Sequence, residues 1–207
     1  MFEKSLSLAA GVFLLASAAL GNPLVPGSAP TVPDVFTSTG WTTLATTGPT
    51  ALTAPTFSGT GQAWVVSDAN NVFGAGKLAF VYQFTSNLTS GDPNERITAG
   101  TFSGYSVDAG YVAGSGVLPS NVSLSSGGNV VGFQYIPNNL MPGQSTVLLV
   151  VQTDATSYIP GTYSVQDSTT VTTAGYAPSA VPEPASLALI GAGLLGFSLL
   201  RRRSTKN

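Results

Sequence analysis

The sequence predicts an all-β protein, an antiparallel β-sandwich of the jelly-roll or immunoglobulin-like kind, flanked by an N-terminal signal helix and a C-terminal transmembrane helix. Three observations predict it. Between two apolar ends, runs rich in Val, Thr, Phe and Tyr alternate with Gly, Asn, Pro and Ser clusters at intervals of roughly 8 to 15 residues. Within those runs side-chain character alternates with a period of two, and no helical period is present. Turn signals such as Ser126-Gly127-Gly128-Asn129 and Met141-Pro142-Gly143-Gln144 separate the runs. No unit of about 20 to 50 residues repeats, which argues against a solenoid or propeller.

The elements follow in order. Residues 6–20 are uncharged and apolar behind Lys4, and small Ala19 and Gly21 hold the −3 and −1 places of a cut before Asn22. This is the pattern of a secretory signal peptide over residues 1–21. As a helix the run covers about 22 Å, short for a permanent span of a ~30 Å hydrocarbon core. Pro23, Pro26, Pro30 and Pro33 then mark residues 22–35 as an extended linker.

The β-domain is expected over residues 36–177, with strands at 40–47, 62–67, 77–85, 96–102, 106–113, 130–136, 146–153 and 162–166. In residues 77–85, Leu78, Phe80, Tyr82 and Phe84 share one face while Ala79, Val81 and Gln83 share the other, so both faces are largely apolar. Such a strand belongs in the middle of a sheet. Residues 147–151 are consecutive aliphatics and predict a second fully covered strand. The Thr-rich stretch 37–60, with Gly48-Pro49 and Ala54-Pro55, is compatible with edge strands or with a loosely ordered approach to the core.

Residues 178–207 form the last unit. An uncharged apolar run at 185–200 is followed directly by Arg201, Arg202 and Arg203. A helix of this length covers about 24 Å, just under the usual spanning length. The arginines act as a cytoplasmic stop and place the preceding domain on the far side of the membrane, in agreement with the signal peptide.

Pro182-Glu183-Pro184, the Gly-rich apolar stretch carrying Gly191, Gly193 and Gly196, and the arginine cluster stand in fixed order at the C-terminus. Together they resemble a PEP-CTERM sorting signal. The resemblance implies a substrate of exosortase, a membrane-embedded processing enzyme of Gram-negative bacteria associated with exopolysaccharide and biofilm production. Residues 71–84 and 151–155 also resemble segments of PEP-CTERM proteins, without bringing an activity. Physically, two prolines hold the tripeptide extended and strip it of backbone donors, so it stays out of the helix and open to a processing enzyme. Glu183 is then a recognition feature, or it simply solvates the positive N-terminal end of the helix.

Composition narrows the chemistry. Charged residues make up 8% of the chain, against about 25% in an average soluble domain, and Ser plus Thr number 48. There is no His and no Cys, which excludes Ser-His and Cys-His catalysis, disulfides, and zinc, haem or iron-sulfur sites built on those ligands. Residues 22–180 carry Lys77 and Arg96 against seven acids, a net charge of −5. This is no footprint for a phosphate backbone, so no nucleic-acid partner is expected.

Four groups of side chains merit comparison with chemistry. Asp92, Glu95 and Asp108 are the nearest approach to a glycosidase carboxylate pair, although Gly91-Asp92-Pro93-Asn94-Glu95-Arg96 reads first as a solvated turn. Asp68, Asn70 and Asn71 offer oxygens to calcium but lack the EF-hand spacing, and an Asx-type turn explains them. Trp41, Trp64, Tyr105 and Tyr111 would form a glycan platform if exposed, whereas aromatics at strand positions usually fill the core. Lys77 follows the Gly74-Ala75-Gly76 turn without the Gly-Lys-Ser/Thr of a phosphate loop, and serves as an edge charge. Asn87-Leu88-Thr89 and Asn121-Val122-Ser123 fit the N-glycosylation pattern by chance in a Thr- and Ser-rich chain.

These features predict an exported cell-surface or extracellular-matrix protein with a structural or adhesive role, without a cofactor and without catalysis of its own. Its expected partners are the secretion translocase, signal peptidase, an exosortase-like enzyme and exopolysaccharide. A secreted carbohydrate-binding module is the alternative, and a carboxylate-dependent polysaccharide hydrolase is a third reading.

Overall fold

A computed structural model describes residues 22–179. The expected signal helix at 1–21, the motif Pro182-Glu183-Pro184, the apolar run at 185–200 and Arg201 to Arg203 lie outside the described residues. Among the described residues the secondary structure is twelve strands: β1 (Asp34–Phe36), β2 (Trp41–Thr46), β3 (Thr50–Thr53), β4 (Ser58–Asp68), β5 (Lys77–Ser86), β6 (Arg96–Gly100), β7 (Val107–Val112), β8 (Asn121–Leu124), β9 (Val130–Gln134), β10 (Leu148–Thr153), β11 (Tyr158–Gln166) and β12 (Thr170–Pro178). They form a seven-stranded sheet in the order β1-β7-β10-β5-β4-β2, with β3 also paired to β4, and a five-stranded sheet in the order β12-β11-β6-β9-β8.

The all-β expectation and the eight anticipated strands are present. β5 lies between β10 and β4, as its two apolar faces require, and β10 lies between β7 and β5. The expectation of a wholly antiparallel fold is corrected: β1 runs parallel to β7, with Asp34 opposite Gly110 and Phe36 opposite Val112. The cause is the path of the preceding segment. Leu24 N donates to Val107 O at 2.7 Å beside β7, Thr31 bridges Val122 on β8 of the other sheet, and the chain then returns to β7. It comes back beside β7 running in the same direction. Gly110 admits this return, because a Cβ there would stand 1.9 Å from the Asp34 carbonyl oxygen.

The two sheets stack through one apolar core. Phe80, Tyr82, Phe84, Val65 and Leu149 of the larger sheet meet Ile97, Val131, Phe133, Tyr163 and Val165 of the smaller. Phe80 and Phe102 pack edge to face with centroids 5.6 Å apart, and Phe57 and Phe84 do so at 6.1 Å. Edge-to-face geometry places the positive ring edge against the negative face. Leu24 joins this core and ties residues 22–33 across the open edge of the stack.

Candidate functional site

The outer face of the seven-stranded sheet is the most distinctive surface of the domain. Strand alternation sends Ala63 and Val65 of β4 inward and Trp64 and Val66 outward. Register then aligns the outward side chains in rows. Trp64, Val81, Val150 and Gly110 lie side by side across β4, β5, β10 and β7, and Val66, Ala79, Gln152 and Asp108 form the next row. Val66, Ala79, Val81 and Val150 are buried beneath half-buried Phe36, Trp41, Trp64, Val112 and Leu148. The face thus carries a small apolar shelf of its own.

Trp41 and Trp64 flank a hollow of about 140 Å³ lined also by Thr43, Val66, Val81 and Leu148. Trp41 Nε1 is shielded from solvent and makes no hydrogen bond among the described residues. The other two aromatics do not join this shelf. Tyr105 and Tyr111 pack against the core between the sheets, because Tyr111 shares the inward face of β7 with Val107 and Ala109.

The polar end of the same face holds a chain of side-chain hydrogen bonds. Gln152 Nε2 donates to Asp68 Oδ2 at 2.6 Å, and Gln152 Oε1 accepts from Val72 N at 3.0 Å. Asp68 Oδ1 accepts from Asn70 N at 2.8 Å and Asn71 Oδ1 from Phe73 N at 2.9 Å, so the Asp68 to Asn71 oxygens close Asx turns. Lys77 stands opposite Asp68 at the start of β5. Among the described residues no three His, Cys, Asp or Glu side chains converge on a metal position.

Asp92, Glu95 and Asp108 are not gathered into one cleft. Asp92 is exposed on the turn before β6, lining an open hollow of about 530 Å³ with Thr56, Thr89 and Gly91, whereas Asp108 sits on β7 of the other sheet. What Asp108 meets instead is Asp34, a residue that no sequence signal singles out within the expected linker. Asp108 is 1% exposed, and its Oδ2 has no hydrogen-bond partner. Burial, then the neighbouring Asp34 carboxylate, push the Asp108 carboxyl up to about 7. Carboxyls close enough to hydrogen-bond leave no room for the substrate that separates a glycosidase pair.

Residues 180–203 match the family model described as the PEP-CTERM protein-sorting motif. The match begins at the residue after Ser179, the last described residue, and contains Pro182, Glu183, Pro184 and Arg201 to Arg203. No curated protein and no solved structure matches the chain. The motif implies export through the membrane of a Gram-negative bacterium and sorting by an exosortase-type membrane enzyme.

Proposed function

We propose that this chain is an exported structural or adhesive protein of the cell surface or extracellular matrix, held briefly in the inner membrane by residues 185–200 and processed near Pro182 to Pro184. The chain is the substrate of that processing and supplies no catalytic group to it. The sorting motif at residues 180–203 carries this reading. The domain ahead of it suits the role: a two-sheet β-sandwich scaffold with few charges and many hydroxyl groups presents a sparsely charged, hydrated surface. Signal peptidase and the secretion translocase act first, and exopolysaccharide is the surrounding material.

The test is the intact mass and membrane partition of the mature protein in its own host, for the wild type and for Pro182→Ala/Glu183→Ala/Pro184→Ala. The wild type is expected to lose its arginine tail and leave the inner membrane, while the variant keeps both. A wild type that retains Arg201 to Arg203 in the membrane is a plain anchored protein.

A second reading, glycan binding, is favoured by one observation: Trp41 and Trp64 face the same outer hollow. Indole faces stack on sugar rings, and Thr43 adds a hydroxyl at the rim.

A further inference from the structure

The half-buried Asp34 carboxyl meets the buried Asp108 carboxyl in an acidic contact for which the described residues offer no cation. Lys77 is in register with Asp68, and the Arg96 guanidinium lies over Gly132 of the other sheet. Around the pair stand Asp34 from β1, Asp108 from β7 and neutral Gln152 from β10, whose amide is engaged with Asp68. A burial this deep leaves Asp108 Oδ2 unpartnered, which costs free energy unless a donor reaches it.

One atom is placed to do so. The backbone nitrogen of Asn22 lies 3.3 Å from Asp34 Oδ2, the carboxyl beside Asp108. Its position is fixed two residues along, where Leu24 is buried in the core and its N–H donates to Val107 O at 2.7 Å. As a peptide nitrogen Asn22 offers a single neutral N–H to two carboxyls. Asn22 is also the residue after the small-residue cut pattern of Ala19 and Gly21.

We propose that cleavage between Gly21 and Asn22 creates an α-ammonium group that ion-pairs with Asp34 and Asp108, and so fastens residues 22–33 across the sandwich edge only in the mature protein. Hydrolysis adds one water to the peptide bond, leaving a carboxylate on Gly21 and an amine on Asn22 that takes up a proton. The ammonium then supplies a full positive charge and three donors where the amide supplied one. Charge-assisted bonds of this kind are roughly twice as strong as neutral ones. The precursor, with no charge at this nitrogen, keeps a looser edge, which suits a chain that must cross a membrane before folding is complete.

The inference rests on the export reading only for the cut itself, and intact mass reads that cut separately from the C-terminal processing. The experiment is a pH titration, by NMR, of the Asn22 α-amine in mature protein purified from the exported fraction. In the wild type the amine is expected to titrate at least one unit above the 7.7 to 8.0 of an ordinary α-amine. In Asp34→Asn/Asp108→Asn it returns to that range. Should the double variant fail to fold, Asp34→Asn alone gives an intermediate value. The proposal is overturned if the wild-type amine titrates in the ordinary range, or if the mature chain begins at a residue other than Asn22.

Discussion

Tyr82 and Tyr163 face each other across the two sheets, with ring centroids 5.1 Å apart, and each hydroxyl donates to a backbone carbonyl of the opposite sheet. Tyr82 Oη reaches Tyr176 O at 3.1 Å, and Tyr163 Oη reaches Gln83 O at 3.5 Å. The reciprocal pair fixes both the spacing and the relative slide of the sheets. Burial pushes both phenols well above their usual range, and for Tyr82 the neighbouring Tyr163 adds to it. Because the folded values lie above the unfolded one, their contribution to stability is whole below pH ~10 and lost as pH rises beyond it. Alkaline titration is expected to release phenolate absorbance together with loss of the β circular dichroism signal, whereas phenolate appearing in the folded protein would count against the pair.

Gly61 lies directly beneath this contact. A Cβ there would stand 1.9 Å from Tyr163 Oη and 2.9 Å from Leu52 Cδ1. Gly61→Ala is expected to cost about 1–3 kcal/mol, the usual range for overpacking, measured by urea denaturation. In the Tyr163→Phe background, which removes the obstructing oxygen, the cost of Gly61→Ala should fall.

The Trp41 and Trp64 shelf separates folding from binding. Each side chain is half-buried, so Trp41→Ala/Trp64→Ala is expected to fold, with a stability loss smaller than the 3–5 kcal/mol of a fully buried aromatic. If the shelf holds glycan, retention on immobilised exopolysaccharide from the host drops for the double variant. Equal retention of both proteins assigns adhesion to another surface.

Burial and Asp34 together raise Asp108 from 3.8 to about 7 in the chain whose residue 22 is an amide. A raised folded value means that the stabilising contribution is complete below about pH 4 and disappears as pH climbs through 7. Thermal unfolding of the precursor should therefore show a declining Tm between those limits, and Asp108→Asn should flatten it. A flat wild-type profile would mean that neither burial nor Asp34 raises Asp108.

Thr101, just after β6, is held at φ 75°, a left-handed conformation that a β-branched residue adopts at a cost. Thr101→Gly is expected to raise stability by about 0.5–1 kcal/mol, the relief of strain exceeding the added chain entropy. Unchanged or lowered stability would show that the Thr101 side chain contributes more than its backbone costs.

The strands easiest to recognise in the sequence are those that are covered on both faces. β5 and β10 show as apolar runs because every neighbour is another strand or the core, and the alternation of Leu78, Phe80, Tyr82 and Phe84 reports the inner face directly. β3, β8 and β12 are harder to read: β3 and β12 are Thr-rich with no strong alternation, and β8 alternates but spans only four residues. β1 was hidden for another reason: four prolines suggest an independent linker, yet it is Leu24 and Gly110, remote from each other in sequence, that dock the segment. The same limit applies to the site. Residue types suggested four aromatics in one platform, but side-chain parity on β7 turned Tyr111 inward, and the partner of Asp108 proved to be Asp34, whose approach depends on a parallel pairing that no local pattern encodes.

Ser179 closes the domain: its N–H donates to Ser157 O at 3.0 Å, and Ser157 Oγ donates to Ser179 O at 3.0 Å. Pro182 follows three residues later, and a fully extended chain advances at most about 3.6 Å per residue. The path from Ser179 to Pro182 is therefore no longer than about 11 Å. Any enzyme that grips Pro182 to Pro184 must find room for the end of β12 within that reach.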